Sequence, residues 1–194
     1  DNVTCGYLTV PEDYTNTYNA TIRLAVAIIH TTNPDSLLDP VLFLQGGPGL
    51  GSITPGMDSM LFNREVLSRR DMIFLDQRGT GLSEPNLSCP GYDVSSDDTA
   101  LDNCRDQLEA QDIQLAAYTS AQSAADVEHL RAALDYDTWN LYGISYGTRL
   151  ALTVLRDYPA GVRSVILDSV YPPQVNLFTD LPVGFSSAAH RLFD

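Results

Sequence analysis

The sequence contains no lysine, and this absence bears on the class of partner that the protein can bind. All 11 basic residues are arginines, set against 25 acidic residues, and the formal net charge is −14 at pH 7. Proteins that bind a nucleic acid backbone carry clusters of lysine and arginine. The composition therefore argues against a nucleic acid partner, while the acidic excess favours solubility and says nothing about the fold.

Long apolar runs are also missing. The longest wholly apolar run covers Leu24 to Ile29, which is six residues, whereas a membrane-spanning helix needs about 20. No membrane span is predicted. No charged and apolar leader precedes Asp1, so we expect any signal segment to lie outside this sequence.

Cysteine is scarce, with only Cys5, Cys89 and Cys104. Cys89 and Cys104 enclose a 14-residue acidic, turn-rich loop, a span that suits a disulfide in an exported protein. Cys5 would then be free, or paired with a group outside this chain. Metal binding is the rival interpretation, but no Cys-x-x-Cys pair or histidine cluster accompanies these residues. We therefore predict no metal site.

Strand-like and helix-like segments alternate along the chain. Short apolar or β-branched runs predict strands at residues 21–30, 40–45, 71–76, 138–144 and 162–167. One helix is predicted behind Ser123 to Asp126, which has the spacing of a capping box, and another over residues 147–158, which Pro159 ends. This alternation predicts an α/β fold with a mostly parallel sheet. From Tyr171 onward the pattern changes, and a different element is expected.

The residues Gly143 to Gly147 fit the pattern Gly-x-Ser-x-Gly around Ser145. The pattern directly follows a predicted strand and directly opens a predicted helix, which is the setting of a nucleophile elbow. Small flanking residues let the strand and the helix pass closely, and the serine hydroxyl is then exposed at the positive end of a helix dipole. Ser145 is predicted to be a catalytic nucleophile. The alternative is a structural turn between a strand and a helix.

A second glycine-rich loop, Gln45 to Gly49, follows the predicted buried strand at residue 40. Such a loop exposes backbone N–H groups, and an acyl-transfer enzyme needs two of these groups for the developing oxyanion. By position, the two donors would be the N–H groups of Gly47 and Tyr146. The alternative is an ordinary turn.

Three motifs together carry a resemblance to a known family. Gly46 to Gly49, Asp76 to Ser83 and Gly143 to Gly147, in this order and spacing, resemble the α/β-hydrolase family of prolyl and tripeptidyl aminopeptidases. The opening residues 10–14 and the Cys89 and Cys104 pair are similar to its exported tripeptidyl-aminopeptidase branch.

The resemblance implies an α/β-hydrolase-type fold with a mostly parallel sheet flanked by helices. Residues 1–170 would form the N-terminal part of the core, with the C-terminal strands absent from this chain, and residues 171–194 would begin a cap or lid. It also implies a secreted or cell-envelope protein. Asp76 and Arg78 are interpreted as a buried structural pair at the end of a strand.

A serine nucleophile needs a histidine base and an orienting carboxylate, which follow the serine in α/β-hydrolases. The only histidine that follows Ser145 in this sequence is His190. His30 and His129 are interpreted as surface or core-edge residues, and Asp168 is weighed as a triad acid against a structural role. The resemblance places the acid and the histidine further along a longer chain, so we expect this chain to be inert alone.

The predicted function is that of a serine hydrolase, an exopeptidase that releases residues from peptide N-termini through an acyl-enzyme on Ser145. A carboxylesterase or lipase on the same fold, and a non-catalytic hydrolase-like binding protein, are the alternatives. The expected partner is a peptide or small ester substrate. No cofactor is implied, because the sequence has no ligand cluster and no Walker-type loop. The unfinished sheet edge would invite self-association or pairing with the missing C-terminal half.

Overall fold

The computed structural model describes residues 2–16, 20–54, 68–90, 99–176, 179, 180 and 186. Six strands run through these ranges: β1 (Val3–Pro11), β2 (Thr21–Ile29), β3 (Val41–Leu44), β4 (Met72–Leu75), β5 (Trp139–Ile144) and β6 (Val162–Asp168). They form one sheet in the order β1-β2-β4-β3-β5-β6. The five strands predicted from the sequence correspond to β2 to β6.

The sheet changes from antiparallel to parallel across its width. β1 pairs antiparallel with β2, and β2 pairs antiparallel with β4. The pairings of β3 with β4, β3 with β5, and β5 with β6 are parallel. The predicted α/β class with a mostly parallel sheet is confirmed. Since the carboxyl ends of parallel strands meet at one edge, the loops that follow β3, β4, β5 and β6 lie along the same edge of the sheet.

The two central strands are buried on both faces, as their continuous apolar sequences require. Every residue of β3 and β4 is buried. Because side chains alternate along a strand, these strands supply two separate clusters. One face contributes Leu42, Leu44, Ile73 and Leu75 to the larger cluster, and the other contributes Val41, Phe43, Met72 and Phe74 to the smaller one.

Two short 3₁₀-helices, Leu115–Ala117 and Pro159–Gly161, and three α-helices have their bounds in the described ranges. The α-helices are α1 (Ala100–Glu109), α2 (Ser120–Ala133) and α3 (Tyr146–Asp157). The helix α3 corresponds within one residue to the predicted helix, and it buries Leu150, Ala151 and Val154 along one face. The spacing of these three residues is that of an amphipathic helix packed against a core.

The predicted capping box at the start of α2 is wrong. The N-cap is Thr119, whose hydroxyl accepts a hydrogen bond from the Gln122 N–H at 3.3 Å. Ser123 and Asp126 instead lie inside the helix and are buried. Asp126 is not free to cap the helix because its carboxylate is held by Arg78.

The predicted pairing of Asp76 with Arg78 is also wrong, although both residues are buried. Arg78 donates to both carboxylate oxygens of Asp126, from Nε at 2.8 Å and from Nη2 at 2.7 Å. It also donates to the carbonyl oxygens of Glu12 and Ala117. One arginine therefore joins the end of β1, the turn before α2 and α2 itself.

Phenol groups surround this buried ion pair. The Tyr14 hydroxyl donates to Asp126 at 2.9 Å, and the Tyr118 hydroxyl donates to Glu12 at 3.1 Å. Burial, and the negative charge of the neighbouring carboxylate, raise the pKa of each tyrosine above its ordinary value. Both phenols therefore remain neutral donors throughout the physiological range.

A disulfide joins Cys89 and Cys104, with 5.8 Å between their Cα atoms, as predicted. Cys5 is a free, exposed thiol. Within the described ranges, no helix is long and apolar enough to cross a membrane. The same ranges hold no group of three or more His, Cys, Asp or Glu side chains that could bind a metal ion.

We predict that replacing Arg78 will destabilise the protein far more than replacing an exposed arginine. Arg78→Met leaves the Asp126 carboxylate buried and unpaired, which should lower the free energy of unfolding by about 3–5 kcal/mol. Arg105→Met removes a solvent-exposed arginine that pairs with Asp102 and Asp106, and should cost no more than about 1 kcal/mol. Urea unfolding of both variants measures the difference, and equal losses would contradict the role of Arg78.

Candidate active site

Ser145 lies on a sharp turn between β5 and α3. Its backbone has φ 53° and ψ −119°, a region that residues other than glycine rarely adopt. Hydrogen bonds hold the turn on both sides. The Ser145 N–H donates to the Asp168 carbonyl at 2.9 Å, and the Thr148 hydroxyl donates to the Ser145 carbonyl at 2.6 Å. The Ser145 side chain is exposed at the carboxyl edge of the sheet.

The two glycines that flank the turn have no room for a side chain. A Cβ at Gly143 would overlap the carbonyl oxygen of Gly147, and a Cβ at Gly147 would overlap the carbonyl oxygen of Leu44. The steric requirement expected from the Gly-x-Ser-x-Gly pattern is therefore present in the structure. The strand–turn–helix geometry is that of a nucleophile elbow.

The second glycine-rich loop lies directly beside this serine. A Cβ built on Gly46 would be 3.0 Å from the Ser145 Cβ and 3.5 Å from its Oγ. Gly47 follows with φ +112°, a conformation that favours glycine. The two loops that the sequence analysis singled out are thus neighbours in space.

The two expected oxyanion donors belong to these adjoining segments. Tyr146 is the first residue of α3, so its N–H has no acceptor within the helix and lies at the positive end of the helix dipole. Gly47 is exposed in the neighbouring loop. The oxyanion role of the Gly47 and Tyr146 N–H groups stays a prediction that this proximity supports.

Asp168 ends β6 next to the elbow, but its side chain is exposed and turned to other partners. Its Oδ2 accepts a hydrogen bond from the Tyr142 hydroxyl at 3.3 Å, and its Oδ1 accepts one from the Ser169 hydroxyl at 3.1 Å. Burial, followed by the Asp168 charge, raises the pKa of Tyr142. The contact that Asp168 makes with Ser145 is through its backbone carbonyl.

The described histidines lie away from the elbow. His30 contacts the Asp71 carboxylate at 2.8 Å, and Asp71 precedes β4, so this pair lies at the opposite edge of the sheet. His129 is exposed on α2, and its ring packs at a tilt against Tyr14. The start of α2 is near the elbow, since the hydroxyls of Ser120 and Tyr146 are hydrogen-bonded at 2.8 Å, but His129 lies nine residues further on, or about 13 Å along the helix axis. His190 lies outside the described residues.

The sequence analysis missed Arg149, which lies one helical turn after Ser145. Its guanidinium donates to the carbonyl oxygens of Pro172, Pro173 and Val175 at 3.4, 3.0 and 2.9 Å. It also stacks over the Tyr171 ring, with 4.8 Å to the ring centroid. The change of pattern at Tyr171 marks the start of this segment in the sequence, but nothing there points to Arg149, because backbone carbonyl acceptors leave no motif.

A cavity of about 500 Å³ opens where Arg149 holds this segment. Its walls come from the glycine-rich loop, the start of α3 and the segment after β6, and it is lined by Pro48, Tyr146, Arg149, Tyr171, Pro173, Gln174, Val175 and Asn176. Since Tyr146 follows Ser145 directly, the cavity adjoins the elbow.

We predict that Gly147→Ala will destabilise the protein while Gly6→Ala will not. The added methyl at residue 147 meets the Leu44 backbone and forces α3 away from β3. This change should lower the free energy of unfolding by about 1–3 kcal/mol or more. Gly6 is the matched control because a Cβ there meets nothing within 4 Å. Urea unfolding compares the two changes, and a Gly147→Ala protein as stable as Gly6→Ala would contradict the close approach.

We further predict that Arg149→Lys will loosen the segment from Tyr171 to Asn176. Lysine cannot present the planar fork of donors that reaches three carbonyl oxygens, so amide hydrogen exchange in this segment should become at least several-fold faster. Arg156→Lys, on the same helix and paired with its exposed neighbour Asp157, is the control. Unchanged exchange in Arg149→Lys would show that the segment is held by other contacts.

A mostly parallel sheet with a serine on a strand–turn–helix elbow defines a hydrolase architecture. Residues 39–189 match the model of the α/β-hydrolase fold family. The chain belongs to the α/β-hydrolase family.

The relatives with known names include peptidases, as the resemblance to prolyl and tripeptidyl aminopeptidases implied. The chain is 30% identical to a tripeptidyl aminopeptidase of Streptomyces lividans over 195 residues, covering 88% of this chain and 36% of that protein. It is 27% identical to the serine protease Hip1 of Mycobacterium tuberculosis over 192 residues, covering 89% of this chain and 36% of that protein. The chain thus spans about a third of the length of these relatives.

A solved structure shares the fold. The crystal structure of proline iminopeptidase from Mycobacterium smegmatis matches with a TM-score of 0.52 and 20% sequence identity, covering 82% of this chain and 42% of that one. At this identity the likeness establishes the fold alone.

Proposed function

We propose that the chain carries the nucleophile and the oxyanion loop of a serine exopeptidase, which releases residues from peptide N-termini through an acyl-enzyme on Ser145. The observation that carries the proposal is the exposed Ser145 on a strained elbow, directly beside Gly46. A hydroxyl placed beside the glycine-rich loop that carries the Gly47 N–H suits attack on an acyl carbon whose oxygen becomes negatively charged.

The choice of a peptide substrate rests on the relatives. Tripeptidyl aminopeptidase and serine protease are the names of proteins that match nearly nine-tenths of this chain. The disulfide between Cys89 and Cys104 supports a protein that works in an oxidising, extracytoplasmic compartment.

We also propose that the histidine base and the triad acid come from a part of the protein beyond these 194 residues. His30 and His129 face Asp71 and Tyr14 rather than Ser145. The chain spans about a third of the relatives' length, which leaves ample sequence for the two missing groups. The chain alone is therefore expected to be inert.

The test compares the full-length protein with this chain in two assays. The full-length protein should hydrolyse tripeptidyl-arylamides, and a fluorophosphonate probe should label Ser145, which mass spectrometry of the labelled peptide identifies. Ser145→Ala should lower kcat by about 10⁴-fold or more, whereas Ser169→Ala, which removes an exposed hydroxyl after β6, should leave kcat unchanged.

Other outcomes would assign a different function. Faster turnover of p-nitrophenyl esters, with no cleavage of arylamides, would favour a carboxylesterase or lipase. No turnover and no labelling in the full-length protein would favour a non-catalytic hydrolase-like binding protein. Stoichiometric labelling of Ser145 in the 194-residue chain alone would contradict the proposal that the base lies elsewhere.

A further inference from the structure

A single buried carboxylate, that of Asp76, binds the backbone at residues 52 and 53, shortly after the glycine-rich loop ends. Asp76 follows β4 at the carboxyl edge of the sheet and is 1% exposed. Its Oδ1 accepts hydrogen bonds from the Ser52 N–H at 2.5 Å and the Ile53 N–H at 2.9 Å. Its Oδ2 accepts one from the Leu82 N–H at 2.7 Å. These are three charge-assisted bonds on one buried group.

The carboxylate is enclosed by backbone, which leaves it little freedom to move. A Cβ at Gly81 would overlap Asp76 Oδ2, and a Cβ at Gly51 would lie 2.8 Å from the Gly81 Cα and 3.2 Å from Asp76 Oδ1. The Ser52 hydroxyl also donates to the Leu75 carbonyl at 2.7 Å. Ser52 is therefore fixed to the end of β4 by its backbone and by its side chain.

The start of the glycine-rich loop, at residue 45, is held by Gln77, the residue that follows Asp76. The Gln77 side-chain amide donates to the Gln45 carbonyl at 3.1 Å, and Gln77 is buried. Two consecutive residues after β4 thus hold the chain on both sides of the glycine-rich loop: Gln77 binds residue 45, where the loop begins, and Asp76 binds residues 52 and 53, shortly after it ends.

We infer that Asp76 and Gln77 are positioning residues for the Gly47 N–H, because together they hold the chain before and after this donor, at residue 45 and at residues 52 and 53. The inference rests on the proposed function, since it assigns the loop to oxyanion stabilisation. A glycine-rich loop has many accessible conformations. A donor that is correctly placed before the reaction begins stabilises the transition state, and one that must be ordered during the reaction does not.

The inference predicts a particular kinetic signature in the full-length protein. In Asp76→Asn, an NH₂ group replaces one carboxylate oxygen and cannot accept the hydrogen bond of a backbone N–H. Gln77→Met keeps the length of the side chain but removes the donor to the Gln45 carbonyl. Each change should lower kcat by about 10- to 100-fold and change KM by less than about threefold, because the interaction lost is made in the transition state. A peptidyl boronic acid, which forms a tetrahedral adduct with the serine, should bind more weakly by a similar factor.

Asp71→Asn is the matched control. Asp71 lies at the other end of the same strand and accepts hydrogen bonds from the Thr31 N–H at 2.9 Å and from His30. This change removes a half-buried carboxylate from a hydrogen-bond network at the edge of the sheet opposite Ser145. It should leave kcat and boronic acid binding unchanged.

The outcomes separate this inference from the proposed function. A wild-type protein that neither cleaves substrate nor reacts with fluorophosphonate at Ser145 overturns both. A reactive wild type with kcat unchanged in Asp76→Asn and Gln77→Met overturns the inference alone, as does an equal loss of kcat in Asp71→Asn or a loss that appears only in KM. If Asp76→Asn does not fold, Gln77→Met decides the question by the same criteria.

Discussion

The close approach of α3 to β3, where Gly147 lies against the carbonyl oxygen of Leu44, determines the position of the candidate site. Ser145 is two residues before Gly147, and the glycine-rich loop begins directly after Leu44. One contact between helix and strand therefore brings the nucleophile and the loop together. Any side chain at residue 147 would separate them, since the obstacle is backbone, which cannot rotate out of the way. The strained φ of Ser145 follows from the same constraint, because the chain must reverse into α3 within a single residue.

The segment after β4 connects this site with the rest of the core. Asp76 and Gln77 bind the glycine-rich loop on one side. Arg78, the next residue, reaches the opposite way into the buried network of Asp126 and the backbone around β1 and α2. A buried ion pair of this kind contributes little net stability over apolar packing but penalises any rearrangement that separates its partners. The loop beside Ser145 is thereby tied to the part of the core that Arg78 and Asp126 hold together.

Much of the fold, and the centre of the site, could be predicted from the sequence because their causes are local. The elbow requires small residues at fixed positions on either side of Ser145, and the buried strands require continuous apolar runs, so each leaves a pattern in a few consecutive residues. The start of α2 was mispredicted because Ser123 to Asp126 has the spacing of a capping box, while Asp126 is committed to Arg78, 48 positions earlier. The supposed pairing of Asp76 with Arg78 failed for a related reason: residues two apart share a face within a strand, but the chain turns directly after β4, and the two side chains reach different partners. Arg149 left no signal because its acceptors are backbone carbonyls, which every sequence supplies.

The backbone donors of an oxyanion site and the histidine base of a serine hydrolase place different demands on the fold. An oxyanion is stabilised by backbone N–H groups only if they are already aimed at the place where the charge develops, and this aim depends on close backbone packing. The present chain supplies such packing through Gly46, Gly143 and Gly147 and through the buried anchors behind them. A histidine base acts through its side chain and not through its backbone, and a carboxylate orients its ring, so it depends less on close backbone packing. The groups that need the tightest geometry therefore lie together in one short span of the sheet, whereas the base and its acid can be carried by a later part of the fold.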